Sequence, residues 1–208
     1  MPITDLEIQI ADKLALAGPA DLVFFGGKGV ISRIIALGTT TPPQWWRGEF
    51  ISHVGMLFNR DRELLLGEST TLADEPCVIT GKHVKGVQAH HAVPRIARYD
   101  GKVWLARMDA DWRENRFTFA ADHALSNFCL KSMGEPYDND DVALAGGCIL
   151  RWFLPENTKK VFCSEWNAKA LKLLGLLPVN IPAGAYNPAG LARCVVHEGT
   201  HRALERVK

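Results

Sequence analysis

Long apolar runs are missing from this 208-residue chain. The longest, Val142 to Leu150 with Arg151 directly behind it, falls far short of the roughly 20 residues a spanning helix requires. An integral membrane protein is therefore excluded. A surplus charge of either sign is missing too: 24 basic and 23 acidic side chains leave a net charge of +1. No nucleic acid or other polyanion is drawn to such a chain by bulk charge. The start, MPITDLEIQIADK, places Asp5 and Glu7 where a secretory leader carries Lys or Arg, so no cleaved signal is expected and a cytoplasmic location is. Paired or clustered cysteines are absent as well. Cys77, Cys129, Cys148, Cys163 and Cys194 are odd in number, with no two closer than 15 residues, which fits neither a disulfide framework nor a C-x-x-C metal knuckle. Most are expected to be buried small hydrophobes.

What is present is ordinary for a folded domain. Hydrophobic residues make up 47% and charged residues 23% of the chain, so disordered and fibrous classes drop out. With no repeat, low-complexity stretch or Gly/Ser linker, one domain spanning 1–208 is expected.

Local patterns predict mixed helices and strands. Thr4-x-x-Glu7 is a capping box opening a helix over Asp5 to Leu16, ended by Gly18-Pro19. Asp21 to Phe25 reads as a buried strand, Gly26-Gly27 as a turn and Val30 to Leu37 as a helix. Thr39 to Gly48, with Pro42, Pro43, Trp45 and Trp46, reads as a loop. Ser52 to Phe58 and Glu63 to Glu68 form a β-hairpin across Asn59-Arg60-Asp61-Arg62. Further strands are expected at Val84 to Ala89 and Val103 to Met108, which together suggest an antiparallel sheet. Helices follow over Asn115 to Met133, capped by Gly134, and over Cys163 to Leu174, ended by Gly175. Leu191 to His197 reads as a closing strand.

The segment Lys160-Val161-Phe162-Cys163-Ser164-Glu165-Trp166-Asn167 puts Cys163 at the start of an amphipathic helix. Unpaired backbone N–H groups and the helix dipole favour a thiolate there; packing in the first turn is the other reading. His53 lies inside an otherwise apolar strand, F-I-S-H-V-G-M-L-F. It is either a base for Cys163 or a core histidine satisfied by a carbonyl. Gly55, two residues along on the same face, leaves room beside the ring. Glu68 ends the partner strand and could lie across from His53, either orienting the imidazole or as a solvent-facing strand end.

Ala20-Asp21-Leu22-Val23, Ser52-His53-Val54-Gly55, the strand ending at Gly67-Glu68, Gly134-Glu135-Pro136-Tyr137-Asp138 and Phe162-Cys163-Ser164-Glu165 together resemble the circularly permuted NlpC-like cysteine hydrolases. These belong to the papain-fold superfamily and are related to lecithin:retinol acyltransferase. Unpermuted members run Cys helix, H-V-G strand, then a strand with a third polar residue. Here the His strand precedes the Cys helix by about 110 residues, the permuted order. The resemblance implies an α+β fold with a permuted papain-like core, an antiparallel sheet packed against helices that include the Cys helix. It also implies Cys163 as nucleophile, His53 as base, Glu68 as the orienting residue, and Tyr137 with Ser164 at the substrate carbonyl or its oxyanion. The family's aliphatic residue after Cys-Ser-Glu is Trp166 here, and the Trp45-Trp46 pair is unusual; both departures are expected to touch specificity.

Other motifs compete. His197-Glu198-Gly199-Thr200-His201 matches H-E-x-x-H, but a zinc protease needs both His residues on one face of a helix, and Gly199 weakens one. Gly26-Gly27-Lys28-Gly29 lacks the spacing of a phosphate loop. His90-His91, with His83 nearby, reads as a partly exposed polar stretch, and Asp138, Asp140 and Asp141 match a calcium loop only loosely.

The expectation is therefore a cysteine hydrolase that cleaves an amide, peptide or isopeptide bond through a Cys-His-Glu triad, with no cofactor and no metal. Its substrate would be a small peptide, a peptidoglycan fragment or a lipid. The alternatives are a lipid ester or amide hydrolase or acyltransferase with the same triad, and a non-catalytic binding module of the same fold.

Overall fold

The computed structural model describes residues 3–28, 40–46, 48–137 and 162–208. The predicted helix Val30 to Leu37, the apolar stretch Val142 to Leu150, Cys148, Gly29, Asp138, Asp140 and Asp141 lie outside the described residues, as do the side chains of Trp45 and Trp46.

In chain order the elements are α1 (Asp5–Leu14), β1 (Leu22–Gly27), α2 (Pro42–Trp46), β2 (His53–Arg60), β3 (Glu63–Thr70), β4 (Gly86–His91), α3 (Ala92–Arg98) and β5 (Gly101–Ala106). After these come α4 (Ala110–Asn115), α5 (Phe119–Ser132), α6 (Cys163–Leu173), a 3-10 turn at Ala183–Ala185, α7 (Pro188–His197) and β6 (Glu205–Arg206). The strands form one six-stranded sheet in the order β4-β3-β2-β1-β5-β6, and every neighbouring pair is antiparallel. The class is α+β. Among the described residues no helix is long and apolar enough to cross a membrane.

The period-2 alternation of the strands decides what each face meets. Leu22 and Phe24 of β1 with Val54, Met56 and Phe58 of β2 bury into one core, against Leu125 and Cys129 of α5, Trp166 and Leu171 of α6 and Leu191 and Val195 of α7. The intervening positions, Val23, Phe25, Leu57 and Leu66, bury on the other side against Ile10 and Leu14 of α1 and Ala92 and Ile96 of α3. The sheet is thus a middle layer. Each fully buried Leu, Ile or Phe is worth about 1.5–3 kcal/mol relative to exposure.

Helix ends follow the capping signals. Thr4 and Glu7 make the reciprocal capping box that starts α1, and Thr118 starts α5 by accepting from the Ala121 amide at 3.2 Å. Gly134 and Gly175 stand at φ +89 and +71 after α5 and α6, a region a side chain disfavours.

Three local expectations are corrected. Leu191 to His197 is helical, the C-terminal part of α7: Asn187 caps it by accepting from the Gly190 amide at 2.7 Å, Pro188 sits in its first turn, and Leu191, Ala192 and Val195 bury along one face. The β-branched Val195-Val196 pair misled because packing overrides a weak propensity. Gly26-Gly27 continues β1, paired with Lys102 and Gly101 of β5. The Thr39 to Gly48 loop contains the short helix α2; prolines at a helix start sacrifice no intrahelical donor, and Gln44 receives the Thr41 amide at 3.2 Å.

Candidate active site

Register brings the first two components together. Gly55 pairs with Glu68, so His53, two residues before Gly55, projects from the same face as Glu68, and His53 Nε2 donates to Glu68 Oε2 at 2.6 Å. Glu68 is fully buried, whereas 16% of the His53 side chain is exposed. Gly55 keeps the approach open. A Cβ there would stand 2.8 Å from the Gly67 carbonyl oxygen and 3.3 Å from Glu68 Cβ.

Cys163 arrives from the opposite layer. It is the first residue of α6, and its N-cap residue, Phe162, offers no side-chain cap, so the first-turn amides have no capping oxygen from that residue. His53 begins β2, which puts its ring at a strand end, and there the Cys163 sulfur hydrogen-bonds the imidazole. With Nε2 engaged by Glu68, Nδ1 is the ring nitrogen left for the thiol. Cys163 itself is 5% exposed.

Burial disfavours the charged form of His53, but the Cys163 charge and hydrogen bond, and then Glu68, outweigh it and raise its pKa to about 9. Burial likewise works against an ionised Glu68. The Arg95 guanidinium and the His53 ring overcome it and hold the carboxyl near 2. The arrangement favours an imidazolium between two acceptors, which is what a thiolate nucleophile with an oriented base requires.

Arg95 on α3 carried no sequence signal of its own. Its Nε donates to Glu68 Oε1 at 2.6 Å and its Nη2 to Glu68 Oε2 at 3.1 Å. The guanidinium packs 5.4 Å from the Phe25 ring centroid and 5.6 Å from that of Tyr99. A reader of sequence could only have found it by asking what neutralises a carboxylate buried between apolar strands. Asn167, one turn into α6, was missed as well. It donates to the Cys163 carbonyl at 2.6 Å and to the Val54 carbonyl at 3.2 Å.

Tyr137 stands beside the start of α6, its ring 5.5 Å from the Phe162 ring and edge-on to it, and Ser164 is buried in the first turn. Trp166 does not line the site. It is fully buried, its indole N–H donates to Ser132 Oγ at 2.8 Å, and it packs on Phe128 at 5.7 Å, so the expected specificity role gives way to a core role. In the His90-His91 stretch, His91 is exposed and His90 is buried, and burial pulls the His90 pKa down. A cavity of about 340 Å³ is lined by Arg95, Gln88, His90, Arg98 and Tyr99 among others, and neither Cys163 nor His53 borders it.

The H-E-x-x-H match fails as a metal site. His197 is 87% exposed at its side chain, whereas His201 is buried with Nε2 donating to the Ala20 carbonyl at 2.9 Å. Gly199 lies at φ +66, beyond the end of α7, so the two rings never share a helix face.

These features define an α+β protein with a buried Cys-His-Glu constellation at one end of an antiparallel sheet. No family model matches the chain, and no curated protein matches it. Among solved structures it is similar in fold to the metalloprotein yiiX from Escherichia coli O157:H7, with a TM-score of 0.53 and 18% identity over 92% of this chain and 97% of that one.

Proposed function

We propose that this chain is a cysteine hydrolase with a permuted papain-like core, cleaving an amide bond in a peptide, isopeptide or cell-wall substrate through a covalent acyl-enzyme. The observation that carries the reading is His53, hydrogen-bonded to Cys163 on one side and to Glu68 at 2.6 Å on the other. The Cys163 thiolate attacks the carbonyl carbon and forms a C–S bond. The oxyanion is received by first-turn amides of α6, with Tyr137 and Ser164 beside them. His53 protonates the departing amine, then takes a proton from water, whose oxygen attacks the thioester, releases the acid and regenerates the thiolate. Glu68 keeps the ring oriented and its charged form stable.

The solved neighbour is titled a metalloprotein. Here, among the described residues, no three His, Cys, Asp or Glu side chains converge on one point, and both Glu68 oxygens are engaged by Arg95 and His53. The described residues do not fit a resident metal.

Alkylation with limiting iodoacetamide, followed by peptide mapping, tests the nucleophile. Cys163 is expected to react first. Burial raises the thiol pKa of both Cys129 and Cys194. Cys77 accepts a hydrogen bond from the Ala89 amide at 3.3 Å, but it is fully buried. Incubation with peptide, cell-wall and lipid extracts, then mass spectrometry of the Cys163 peptide, identifies the acyl group. A fatty acyl adduct would move the chain to the lipid hydrolase or acyltransferase reading. Alkylation of Cys163 no faster than that of Cys77, with no adduct from any extract, would leave a binding module.

A further inference from the structure

We propose that Arg95 is a positioning residue of this site, clamping both oxygens of Glu68 so that the carboxylate stays ionised and aimed at His53. The inference rests on the hydrolase reading and adds a fourth member to its chain of groups.

The geometry is that of a fork. Nε meets Oε1 at 2.6 Å and Nη2 meets Oε2 at 3.1 Å, two parallel charge-assisted bonds that fix the rotation of the carboxylate as well as its charge. A single bond from His53 to Oε2 could not do both. The fork is itself immobilised: Arg95 is 8% exposed and packs against the rings of Phe25 and Tyr99, which meet each other edge-on at 4.8 Å. A guanidinium tolerates such surroundings because it is weakly hydrated and stacks on aromatic faces.

Charge alternates along the row. The His53 imidazolium and the Arg95 guanidinium flank the Glu68 carboxylate, and deleting Arg95 removes one of its two cationic partners in a largely buried site. The remaining groups would respond by binding a proton more tightly. Glu68 would then compete with His53 for the proton that orients the ring. The groups facing this pair are Cys163 on α6, His90 on β4 and Tyr99 after α3; behind them, Glu75 ahead of β4 and Arg98 on α3 pair with each other and act on His90. Only Arg95 donates to Glu68 along with His53 among the described residues.

The test is the pH dependence of Cys163 alkylation, together with the His53 ring titration followed by NMR, in the wild type, Arg95→Lys and Arg95→Ala. In Arg95→Ala both proton-binding steps of the Glu68 and His53 pair are expected to move up by about one pH unit or more, and the pH profile of Cys163 alkylation to move with them. Arg95→Lys keeps the cation and loses the fork, so its midpoints stay within about half a unit of wild type. Because Arg95 lines the 340 Å³ cavity, methylguanidinium at millimolar concentration can reach the vacated place. It is expected to restore the Arg95→Ala profile and leave the wild type unchanged. Superimposable pH profiles in wild type and Arg95→Ala, or an altered profile that neither lysine nor methylguanidinium restores, would overturn the role. The NMR arm needs no catalysis: an unreactive Cys163 with shifted His53 midpoints would sink the hydrolase reading and keep the clamp.

Discussion

Asn167 donates from one amide nitrogen to the carbonyl of Cys163 on its own helix and to the carbonyl of Val54, the residue after His53, at 2.6 and 3.2 Å. One buried side chain therefore holds the helix that starts with the thiol against the strand that starts with the imidazole.

That tie predicts a specific loss. Asn167→Leu has similar volume but no donor, leaving the Val54 carbonyl unsatisfied, and a buried orphaned acceptor costs about 1–3 kcal/mol. Urea unfolding should show that loss. The rate of Cys163 alkylation should fall further than unfolding explains, because the spacing of thiol and ring is no longer fixed. A variant with wild-type alkylation and lowered stability would limit Asn167 to packing.

Gly67 and Trp166 make a second pair. A Cβ on Gly67 would stand 2.7 Å from Trp166 Cη2, closer than carbon atoms pack. Gly67→Ala is expected to destabilise the fold by about 1–3 kcal/mol, the usual cost of overpacking. In the Trp166→Phe background, where the six-membered part of the indole is gone, the same change should cost much less. Additive costs in the double variant would show that the two positions do not touch.

This pairing also explains what the sequence could and could not tell. The hairpin of β2 and β3, the capping box at Thr4 and Glu7, and the helix beginning at Cys163 were legible because each is written in local spacing. That Glu68 could lie beside His53 was legible from the hairpin pattern; that it does so fully buried, rather than facing solvent at a strand end, was not. Arg95, Asn167 and the core role of Trp166 were not legible. Their significance comes from contacts 27 residues away for Arg95 to Glu68 and 113 away for Asn167 to Val54, which no periodicity encodes. Leu191 to His197 was misread for the opposite reason: its valines spoke louder locally than the Asn187 cap and the apolar face beyond it.

The charged pair gives stability a pH signature. His53, ordinarily near 6.5, is raised to about 9, so its contribution is fully present below 6.5 and lost as pH rises through 9. Glu68, ordinarily near 4.5, is lowered to about 2, so its contribution is present above 4.5 and lost as pH falls through 2. Between those limits the pair is at full strength. His201 works in the opposite sense, since burial lowers it to about 4 and its neutral ring disfavours folding as pH drops below 6.5. The comparison is therefore wild type against His53→Gln in urea. The stability difference is expected to shrink steadily from pH 6.5 to 9 and to stay constant from 4.5 to 6.5. A difference independent of pH up to 9 would mean that the ring is not charged in the folded protein.

His201 separates a structural histidine from a metal ligand. Its Nε2 meets the Ala20 carbonyl at 2.9 Å and its Nδ1 lies 3.1 Å from Thr200 Oγ1, so both ring nitrogens already have partners. Ala20 itself stands at φ +66, a conformation a non-glycine residue holds only when its surroundings enforce it. Replacing His201 by alanine should therefore lower stability by about 1–3 kcal/mol, through a lost buried hydrogen bond and an unfilled volume. His197→Ala, on an exposed ring, should change stability by no more than about 0.5 kcal/mol. Neither substitution is expected to alter Cys163 alkylation per folded molecule, and EDTA or phenanthroline should leave that rate unchanged. One zinc per chain lost on chelation, together with equal loss of activity from His197→Ala and His201→Ala, would instead place the chemistry at the H-E-x-x-H segment and require a rearrangement that brings the two rings to one side.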